Sequence, residues 1–383
     1  MHIGIEAHGF WGDVEGQGRY IAALIRALSR LDRATRYTLF FNSLRDTARR
    51  RERVRQELGS NFDSVFFRLP NVPRPSVLFL KERLLWPAMA VRLGIDVFHA
   101  TSYRGIFAPG MRTVLSVHDF AYHRCADAFT PRSLRYYRRL REDAHRAAFV
   151  TTLSESSRQD AIRLLELPPE RVKTVYAGVD LARFAAEVPP QAVERARSHH
   201  GIRSPSLLFL GNLNPKKNIG TLIEALGRLH WDGQASCQLI LAGKPTAHRD
   251  ALEAAIRRHG LQAQVRFVGF VPDEDLPLLY RAVDALVFPS LFEGFGLPVL
   301  EAMACGTPVV ASNTSSLPEV AGDAALLVDP LDAGAMAAAI RRLLEDAALR
   351  RELIARGLQR ARAWSWERAA QRVLDVYEEA GAS

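Results

Sequence analysis

The sequence predicts an α/β protein of two domains, in which short buried strands alternate with amphipathic helices. First, its 383 residues exceed the size that one hydrophobic core usually organises. Second, short apolar runs recur in both halves, and many are followed by a loop and then by apolar residues at helical spacing. Third, a polar segment with three prolines, residues 181–205, separates the halves. We therefore expect domains over residues 1–180 and 206–364, joined by this segment.

The composition is that of a globular protein. Apolar residues make up 48% of the chain and charged residues 24%. No stretch is long and apolar enough to cross a bilayer, and the first residues lack the basic and apolar regions of a signal peptide. Cys125, Cys237 and Cys305 lie far apart and fit no metal-binding spacing, which favours reduced thiols and a cytoplasmic location.

The net charge of +9 is concentrated in the first half of the chain. Residues 1–180 hold 29 Lys and Arg against 19 Asp and Glu, whereas the remainder holds 22 against 23. Such an excess is typical of proteins that bind nucleic acid, acidic lipid or an anionic substrate. An arginine-rich composition that reflects only a GC-rich genome is the alternative explanation.

A glycine-rich loop follows the first predicted strand. The strand covers residues 3–7, the loop covers residues 8–18 with glycines at positions 9, 12, 16 and 18, and a helix follows up to Leu31. Because strands of an α/β fold face the ligand with their carboxyl ends, Gly16 and Gly18 are candidates for close approach to a ligand. The loop does not match the G-x-G-x-x-G pattern, so a dinucleotide site is not supported.

The rest of the first half continues this alternation. The further strands predicted here cover residues 37–41, 65–69, 96–100, 113–117, 150–153 and 171–175, and helices cover residues 44–57, 131–149 and 155–165. His118 and Asp119 come directly after one strand, at the edge where α/β proteins place function. From the local residues alone, His118 is either a ligand-facing imidazole or a structural histidine, and Asp119 orients the loop or the ring.

The helix over residues 131–149 is rich in arginine. Thr130 and Pro131 suit its N-terminus. Arginines cover much of its surface, at positions 132, 135, 138, 139, 141 and 146. This helix either lies on an anionic membrane, or lines a site for an anionic lipid-diphosphate acceptor, or is an ordinary solvated helix.

The second half contains a basic loop at a helix start. A strand over residues 207–210 is followed by the loop 211–218, with Lys216 and Lys217, and a helix opens at Ile219. Two cations beside free helix amides suit a diphosphate site. Taken alone, the lysines are better explained as a basic turn, but beside the loop that carries Glu293 the diphosphate site is favoured. The further strands predicted here cover residues 238–242, 265–271, 285–288, 307–311 and 325–328, and a last helix runs to Ala380.

Residues 289–312 combine an anion site with two carboxylates. Glu293 and a Gly-Phe-Gly sequence precede a helix whose start is marked by Pro298 and whose end is marked by Gly306. The free amides at such a helix start attract anions, whereas the carboxylates of Glu293 and Glu301 suit the hydroxyls of a sugar or ribose. Read alone, Glu301 is equally explained as an exposed helix residue.

This stretch carries a resemblance. Residues 293–310, E-G-F-G-L-P-V-L-E-A-M-A-C-G-T-P-V-V, resemble the motif of the retaining, two-domain (GT-B) glycosyltransferases of family 4. The resemblance covers nearly the whole chain and is strongest over residues 207–330. It implies two Rossmann-like domains facing a cleft, with the last helix, residues 365–383, crossing back onto the N-terminal, acceptor-binding domain.

The resemblance also implies residue roles. Lys217 and Lys216 would bind the donor diphosphate, Glu301 the ribose and Glu293 the sugar, with His118 facing that sugar. The catalytic residues implied are Glu293, Lys217 and His118. The donor-binding residues implied are Gly16, Gly18, Gly211, Asn212, Lys216, Lys217, Val268, Phe295, Gly296, Leu297 and Glu301. The family often has arginine where this chain has Asn212, so Lys216 is expected to supply the second cation.

The expected reaction follows from this resemblance. We expect a hexose, mannose or a deoxysugar such as rhamnose, to pass from a nucleotide-diphosphate sugar (GDP favoured, UDP or dTDP as alternatives) to a lipid-linked surface glycan. No metal or other cofactor is expected, so Asp273 and Asp275 are interpreted as helix-capping acids. Arg132, Arg135, Arg138 and Arg139 are candidates for contact with the acceptor or the inner membrane surface. The alternatives are a soluble-acceptor sugar synthase, an NDP-sugar hydrolase and, remotely, a nucleic-acid-binding protein, for which no recognition motif is present.

Overall fold

The structure is a computed structural model that describes residues 1–7, 9–11, 16–43, 47–69, 75–126, 129–231 and 237–382. The chain forms two compact units. The first unit comprises Met1–Tyr122, Phe129–Gly178 and Trp366–Ser383, and the second comprises His123–Ala128 and Val179–Ser365. Among the described residues, no helix combines the length and the apolar content needed to cross a bilayer.

The first unit is built on a parallel sheet of seven strands in the order β3-β2-β1-β4-β5-β6-β7. Its strands are β1 His2–Glu6, β2 Arg36–Asn42, β3 Phe62–Phe67, β4 Val97–Ala100, β5 Arg112–Val117, β6 Phe149–Thr152 and β7 Val172–Thr174. The inner strands are buried along their length, as expected for a parallel sheet covered by helices on both faces. The strand order reverses between β1 and β4, so the loops that follow these strands diverge and leave room for a ligand.

The helices of the first unit fill the connections between these strands. They are α1 Gln17–Leu31, α2 Thr47–Glu57, α3 Pro75–Leu80, α4 Trp86–Leu93, α5 Ala121–Arg124, α6 Pro131–Tyr137, α7 Leu140–Arg146 and α8 Glu155–Leu165. A π-helical turn, Lys81–Leu85, connects α3 and α4. The predicted helix over residues 131–149 is thus two helices, α6 and α7, although Thr130 caps the start of α6 as expected by accepting a hydrogen bond from the Ser133 amide. Residues 44–46 of the predicted helix 44–57 lie outside the described residues.

The second unit contains a parallel sheet of six strands in the order β10-β9-β8-β11-β12-β13. Its strands are β8 Ser206–Leu210, β9 Gln238–Ala242, β10 Val265–Gly269, β11 Ala285–Phe288, β12 Val309–Ser312 and β13 Leu326–Val328. Its helices are α9 Leu181–Phe184, α10 Pro190–His200, α11 Ile219–Trp231, α12 Arg249–Arg258, α13 Leu276–Arg281, α14 Leu297–Ala304, α15 Leu317–Ala321, α16 Ala333–Glu345 and α17 Ala347–Arg362. The order reverses between β8 and β11, which places the loops after these two strands side by side.

The final helix, α18 (Trp366–Ala382), belongs to the first unit although it ends the chain. The Tyr377 hydroxyl on its buried face lies 2.7 Å from Nδ1 of His99 in β4, and the Trp366 ring packs against Tyr20 of α1. The predicted fold class, two Rossmann-like units with a returning C-terminal helix, is confirmed.

The segment predicted to connect the domains, residues 181–205, contains two helices, α9 and α10. No residue of α10 is buried, so its sequence lacks the apolar periodicity that predicts a helix. In addition, Arg281 donates to the carbonyls of Phe184 and Ala186, which fixes the start of this segment on the second unit.

Gly243 provides a test of the close approach between two loops in the second unit. Its φ is +146°, and a Cβ atom at this position would lie 1.9 Å from the carbonyl oxygen of Gly211. We expect Gly243→Ala to destabilise the second unit by about 3 kcal/mol, since backbone rather than a flexible side chain must move. The measurement is the thermal unfolding midpoint. The matched control is Gly220→Ala in α11, where the added Cβ meets nothing within 4 Å and the midpoint should be kept or raised.

Candidate functional site

The loops after β8 and β11 meet in the second unit and bring Lys217 and Glu293 together. The two strands pair through Ala285 and Leu207, so their carboxyl ends lie at one edge of the sheet. Lys217 Nζ forms a short ion pair with Glu293 Oε1, and both side chains are nearly buried. The backbones are joined as well, because the Leu291 amide donates to the Lys216 carbonyl at 2.9 Å. The residues predicted to bind the diphosphate and the sugar therefore lie next to each other, on two adjoining loops.

The charge state of Glu293 is fixed by its neighbours. Burial raises the pKa of this carboxyl group. The charges of Lys217 and Lys216 and the hydrogen bond from Lys217 lower the pKa by more than burial raises it, so the pKa lies below its usual value. Glu293 is therefore an ionised carboxylate near neutral pH. In this state it only accepts hydrogen bonds.

The position of Lys217 is set by the residue that follows it. Asn218 adopts a left-handed conformation with φ +53°, and its side-chain amide donates to the carbonyls of Pro289 (3.2 Å) and Pro330 (2.6 Å). These bonds tie the lysine loop to the loop that carries Glu293. The Lys217 ammonium also lies 4.9 Å from the centre of the Phe288 ring at the end of β11.

The loop that carries Glu293 is also held by three hydroxyl residues that follow β12: Thr314, Ser315 and Ser316. The Ser315 hydroxyl accepts a hydrogen bond from the Glu293 amide at 2.9 Å. The Ser316 hydroxyl donates to the carbonyls of Glu293 (3.0 Å) and Phe295 (2.6 Å), and Thr314 Oγ1 donates to the Leu291 carbonyl at 3.2 Å. Sequence reasoning missed these residues. Their only signal was a run of three hydroxyl side chains shortly after a buried strand.

The start of α14 presents free amides beside this ion pair. Gly296 is its N-cap with φ +114°, and Pro298, the second helical residue, has no N–H. Within the described part of the chain, the amides of Phe295, Gly296 and Leu297 donate to no protein acceptor. Together with Lys217, these donors and the positive end of the helix dipole form a site suited to an anion.

Glu301 lies on the same helix and is buried rather than exposed. Its carboxylate accepts a hydrogen bond from the Tyr280 hydroxyl at 2.9 Å. The Tyr280 carbonyl in turn accepts a bond from Thr307 Oγ1 at 2.8 Å. A buried carboxylate is costly unless a ligand or hydrogen bonds satisfy it. The interpretation of Glu301 as an ordinary surface residue is therefore wrong.

The other residues predicted for the second unit lie after β8 or within β10. Gly211 and Asn212 follow β8 directly, and the space beside Gly211 is occupied by the Lys217 side chain, 3.6 Å from where a Cβ would lie. Val268 is half-buried in β10, two strands away in the sheet.

The acidic residues 273–275 form one 3₁₀ turn at the start of α13. Asp273 lies 4.0 Å from the guanidinium of Arg183, at the limit of an ion pair. Across the described ranges, no three side chains of His, Cys, Asp or Glu converge as metal ligands would.

His118 lies in the first unit, in a pocket of aromatic rings. Its ring packs edge-on against Tyr20 (5.3 Å) and Tyr103 (5.6 Å), and Nε2 lies 2.7 Å from the Thr101 carbonyl oxygen. Because a carbonyl only accepts, the neutral ring carries its proton on Nε2. Burial lowers the pKa of His118 despite the opposing effects of Thr101 and Asp119, so the ring is neutral at pH 7.

The other ring nitrogen of His118 is available. Among the described residues, Nδ1 of this buried ring has no hydrogen-bond partner. An unprotonated Nδ1 can accept a hydrogen bond from a hydroxyl group. The Asp119 carboxylate accepts a hydrogen bond from the Ala121 amide at 3.1 Å, within the same loop.

The glycine loop is described only in part. Residues 8 and 12–15, including Gly12, lie outside the described residues. Gly16 is the N-cap of α1 and is exposed, and Gly18 lies in the first turn of that helix. Gln17 between them donates to the Thr101 carbonyl at 2.8 Å, the same acceptor that His118 uses. The start of α1 and His118 therefore converge on the residue that follows β4.

The predicted arginines differ in their surroundings. Arg139 forms ion pairs with Asp143 (3.1 Å) and Glu82 (3.8 Å) inside the first unit. Arg135 and Arg138 are exposed, and neither forms an ion pair with any described residue. The side chain of Arg132 lies outside the described part of the structure.

Comparison with known proteins matches both halves of the chain. The family model described as Glycosyltransferase Family 4 matches residues 14–183, and the model described as Glycosyl transferases group 1 matches residues 192–360. The chain is 34% identical to the O-antigen chain mannosyltransferase B of Escherichia coli over 374 residues, covering 95% of this chain and 96% of that one. It is 40% identical to a D-inositol 3-phosphate glycosyltransferase of Salinispora tropica over 241 residues, covering 58% and 48%.

The fold is likewise that of known structures. The sucrose-phosphate synthase of Thermosynechococcus elongatus superposes with a TM-score of 0.79 at 22% identity, covering 100% of this chain and 99% of that one. At this identity the match concerns the fold.

The Lys217–Glu293 pair predicts a pH-dependent stability. Lys217→Met leaves Glu293 buried without its main partner, and we expect a loss of about 3 kcal/mol at pH 7. The pKa of the lone carboxyl group then rises through burial, so the loss should shrink as the pH falls from 8 to 5 and the group takes up a proton. In the native chain the lowered pKa of Glu293 keeps the ion pair charged between pH 8 and pH 5. The stability that the pair contributes is lost only when the pH falls through this lowered pKa.

The measurement is urea unfolding of the wild type, Lys217→Met, Glu293→Gln and the double variant at both pH values. The double variant should recover much of the lost stability because no buried charge remains unpaired. Equal losses at pH 5 and pH 8, or a double variant as unstable as Lys217→Met, would contradict the assignment.

Proposed function

The chain belongs to glycosyltransferase family 4 and is a glycosyltransferase, and we propose that it transfers a hexose, with mannose first, from a nucleotide-diphosphate sugar to a surface glycan. The observation that carries the proposal is the Lys217–Glu293 pair beside the free amides of α14. This arrangement offers fixed positive charge for a diphosphate next to a carboxylate for sugar hydroxyls. Rhamnose or another deoxysugar is the alternative sugar.

The proposed donor site is built from preorganised groups. The ammonium of Lys217 has three N–H donors, so it can bind Glu293 and a phosphate oxygen at the same time. Lys216 and the amides of Phe295, Gly296 and Leu297 add further positive charge where the leaving diphosphate develops negative charge. Such fixed electrostatic stabilisation is usually the largest catalytic contribution and involves no reorganisation during the reaction.

The two glutamates take different roles in this proposal. Glu301, held by Tyr280, accepts hydrogen bonds from the ribose hydroxyls of the nucleotide. Glu293, as an ionised acceptor, binds hydroxyls of the transferred sugar and orients its anomeric carbon. A carboxylate whose pKa is lowered by two lysines is a weak base, which argues against Glu293 as the general base.

We propose that the reaction retains the anomeric configuration. The acceptor hydroxyl attacks the anomeric carbon on the face that the diphosphate leaves, and its proton passes to a leaving phosphate oxygen. The bond from the anomeric carbon to the diphosphate breaks as the new glycosidic bond forms. The pair of carboxylates used by glycosidases is not required. His118, neutral and with Nδ1 unpaired, is proposed to accept a hydrogen bond from a donor-sugar hydroxyl.

The sugar and the acceptor are inferred from the most extended similarity. The relative that matches over 95% of this chain is an O-antigen chain mannosyltransferase, which supports mannose as the sugar and a surface polysaccharide as the acceptor. GDP as the carrier and a lipid-linked form of the acceptor are our proposal. UDP and dTDP donors remain the alternatives for the nucleotide. A second candidate is a small soluble acceptor, and it is supported by the 40% identity to an inositol phosphate glycosyltransferase over 58% of the chain.

The donor and acceptor are tested together by nucleotide release. The purified chain is assayed with GDP-mannose, UDP-glucose and dTDP-rhamnose, each alone, with a lipid-diphosphate glycan and with inositol 3-phosphate. We expect release from GDP-mannose only with the lipid-linked acceptor. Release with inositol phosphate would support the second candidate, and release without any acceptor would indicate hydrolysis. Failure to bind any nucleotide sugar would refute the proposed function.

The role of Glu293 is tested in the same assay. Glu293→Ala, and the milder Glu293→Gln, should lower kcat by about 10²–10³-fold, because the sugar loses its orienting acceptor. The matched control is Glu253→Gln, which removes an exposed carboxylate on α12 in the same unit and should leave kcat unchanged. Thermal unfolding of each variant separates loss of function from loss of fold. Full activity of Glu293→Ala would exclude it from the donor site.

We also expect the transfer to be independent of metal ions. The lysines and amides already supply the positive charge that a divalent ion would provide, so we expect EDTA to leave the transfer rate largely unchanged. The assay compares the rate with EDTA, with added Mg²⁺ and with added Mn²⁺. A rate that EDTA abolishes and a divalent ion restores would assign a metal role to Asp273 and Asp275 that we do not propose.

A further inference from the structure

Glu6 is a buried carboxylate at the carboxyl edge of the first sheet. It is the last residue of β1, beside the strand reversal, and it is 1% exposed. Its Oε1 atom lies 3.0 Å from Nζ of Lys81, which belongs to the π-helical turn and is buried as well. Its Oε2 atom accepts hydrogen bonds from the Thr101 amide (3.1 Å) and the Ser102 hydroxyl (2.6 Å). Both oxygens are occupied by protein donors, so Glu6 does not itself reach a substrate.

Thr101 is the residue that Glu6 holds in place. It follows β4 directly and is fully buried. Besides the amide bond to the carboxylate, its hydroxyl donates to the Glu6 carbonyl at 2.8 Å. The Thr101 carbonyl accepts from His118 Nε2 at 2.7 Å and from Gln17 Nε2 at 2.8 Å. A carbonyl has two lone pairs, and both are used here. The position of this carbonyl is therefore set by Glu6 and in turn sets the position of His118.

The bond to Thr101 determines how the His118 ring is presented. Within the described part of the chain, it is the one hydrogen bond of this ring. A ring turned by 180° would place a C–H group against the carbonyl, and a proton on Nδ1 instead of Nε2 would set two lone pairs against each other. Both changes lose the bond. The Thr101 carbonyl therefore fixes the orientation and the tautomer that leave Nδ1 as an acceptor.

Stability alone explains the buried Glu6–Lys81 pair poorly. Two buried charges lose their hydration, and apolar side chains of similar volume are often at least as stabilising. What apolar side chains cannot do is accept hydrogen bonds from the Thr101 amide and the Ser102 hydroxyl. The carboxylate is thus suited to hold the loop after β4, while Lys81 supplies its counter-charge.

We propose that Glu6 is a positioning residue for glycosyl transfer, which acts through Thr101 to hold Nδ1 of His118 toward a hydroxyl of the donor sugar. This inference rests on the proposed function, in which His118 accepts a hydrogen bond from that hydroxyl. Glu6 takes no proton and forms no bond in the reaction. Its contribution is to prevent a rotated or wrongly protonated ring, which would present no acceptor to the sugar.

The test begins with Glu6→Gln, which keeps the shape of the side chain but has one acceptor oxygen instead of two. The Lys81 ammonium attracts that oxygen, so the NH₂ group of the glutamine faces the Thr101 amide, and two donors oppose each other. We expect kcat to fall at least about tenfold, because the sugar loses its positioned acceptor. The affinity for free GDP, measured by calorimetry, should stay unchanged, since the proposed nucleotide site lies in the second unit.

The double variant Glu6→Gln/Lys81→Met separates positioning from stability. Without the ammonium, the glutamine oxygen is free to turn toward Thr101 and Ser102, so most of the lost rate should return. Lys81→Met alone leaves a buried carboxylate without its counter-charge and should lower the thermal unfolding midpoint. A rate that follows the unfolding midpoint across these three variants, with no recovery in the double variant, would overturn the proposal.

A second pair of variants carries no change of charge. Thr101→Val removes the hydroxyl that donates to the Glu6 carbonyl, whereas Thr101→Ser keeps it. We expect Thr101→Val to lower kcat and Thr101→Ser to restore it. Because neither variant leaves a buried charge unpaired, this pair decides the question if Glu6→Gln does not fold. Equal kcat values for the wild type and Thr101→Val would then overturn the proposal.

The His118 ring is observed directly by NMR. Long-range ¹H–¹⁵N spectra of the full chain labelled with ¹⁵N-histidine distinguish the two neutral tautomers, and His118→Asn identifies the signal. The wild type should show one tautomer with the proton on Nε2, and Glu6→Gln should show a mixture. A proton on Nδ1 in the wild type, or an unchanged spectrum in Glu6→Gln, would overturn the proposal. This measurement needs no substrate: a chain that uses no nucleotide sugar would refute the proposed function, and the spectra would still show whether Glu6 positions the ring.

Discussion

The buried ion pair between Lys217 and Glu293 is the contact on which the candidate site depends. Each charge would be costly in this environment alone, because both side chains are nearly excluded from water. Together they join the loops after β8 and β11, and Asn218 and Ser315 hold those loops from either side. The same contact sets the chemistry, since the lysines keep Glu293 ionised and leave it a hydrogen-bond acceptor.

The parallel topology explains why these loops meet. In both sheets the strand order reverses beside the first strand of the unit. In the second unit, the strands at the reversal are β8 and β11, and the loops after their carboxyl ends carry Lys217 and Glu293. The strands and the loops after them can be predicted from the sequence. The strands are short and apolar, and the loops that end them contain glycine, lysine and glutamate. Glu293 and Glu301 were predicted as site residues because the motif around α14 is long and local, and Lys217 was predicted from the basic loop after β8.

Other features depend on contacts that no local pattern reveals. Thr314, Ser315 and Ser316 act on a loop more than twenty positions earlier in the chain, through hydroxyl groups whose partners are backbone atoms. Lys81 and Glu82 are charged residues in the mainly apolar segment 75–93, yet both are buried against partners far away in sequence. Likewise, the exposed α10 lacks the apolar stripe by which helices are recognised.

Net charge is a weak guide to where charge acts in this molecule. The basic excess lies in the first half of the chain, but part of it is used internally: Arg158 donates to carbonyls of the same unit, as does Arg171, and Arg104 pairs with Glu82. The second half is close to neutral, yet it contains the lysine loop and the unpaired amides at the start of α14. We therefore attribute the proposed anion site to placement beside a helix terminus and exclusion of water, rather than to the number of charges.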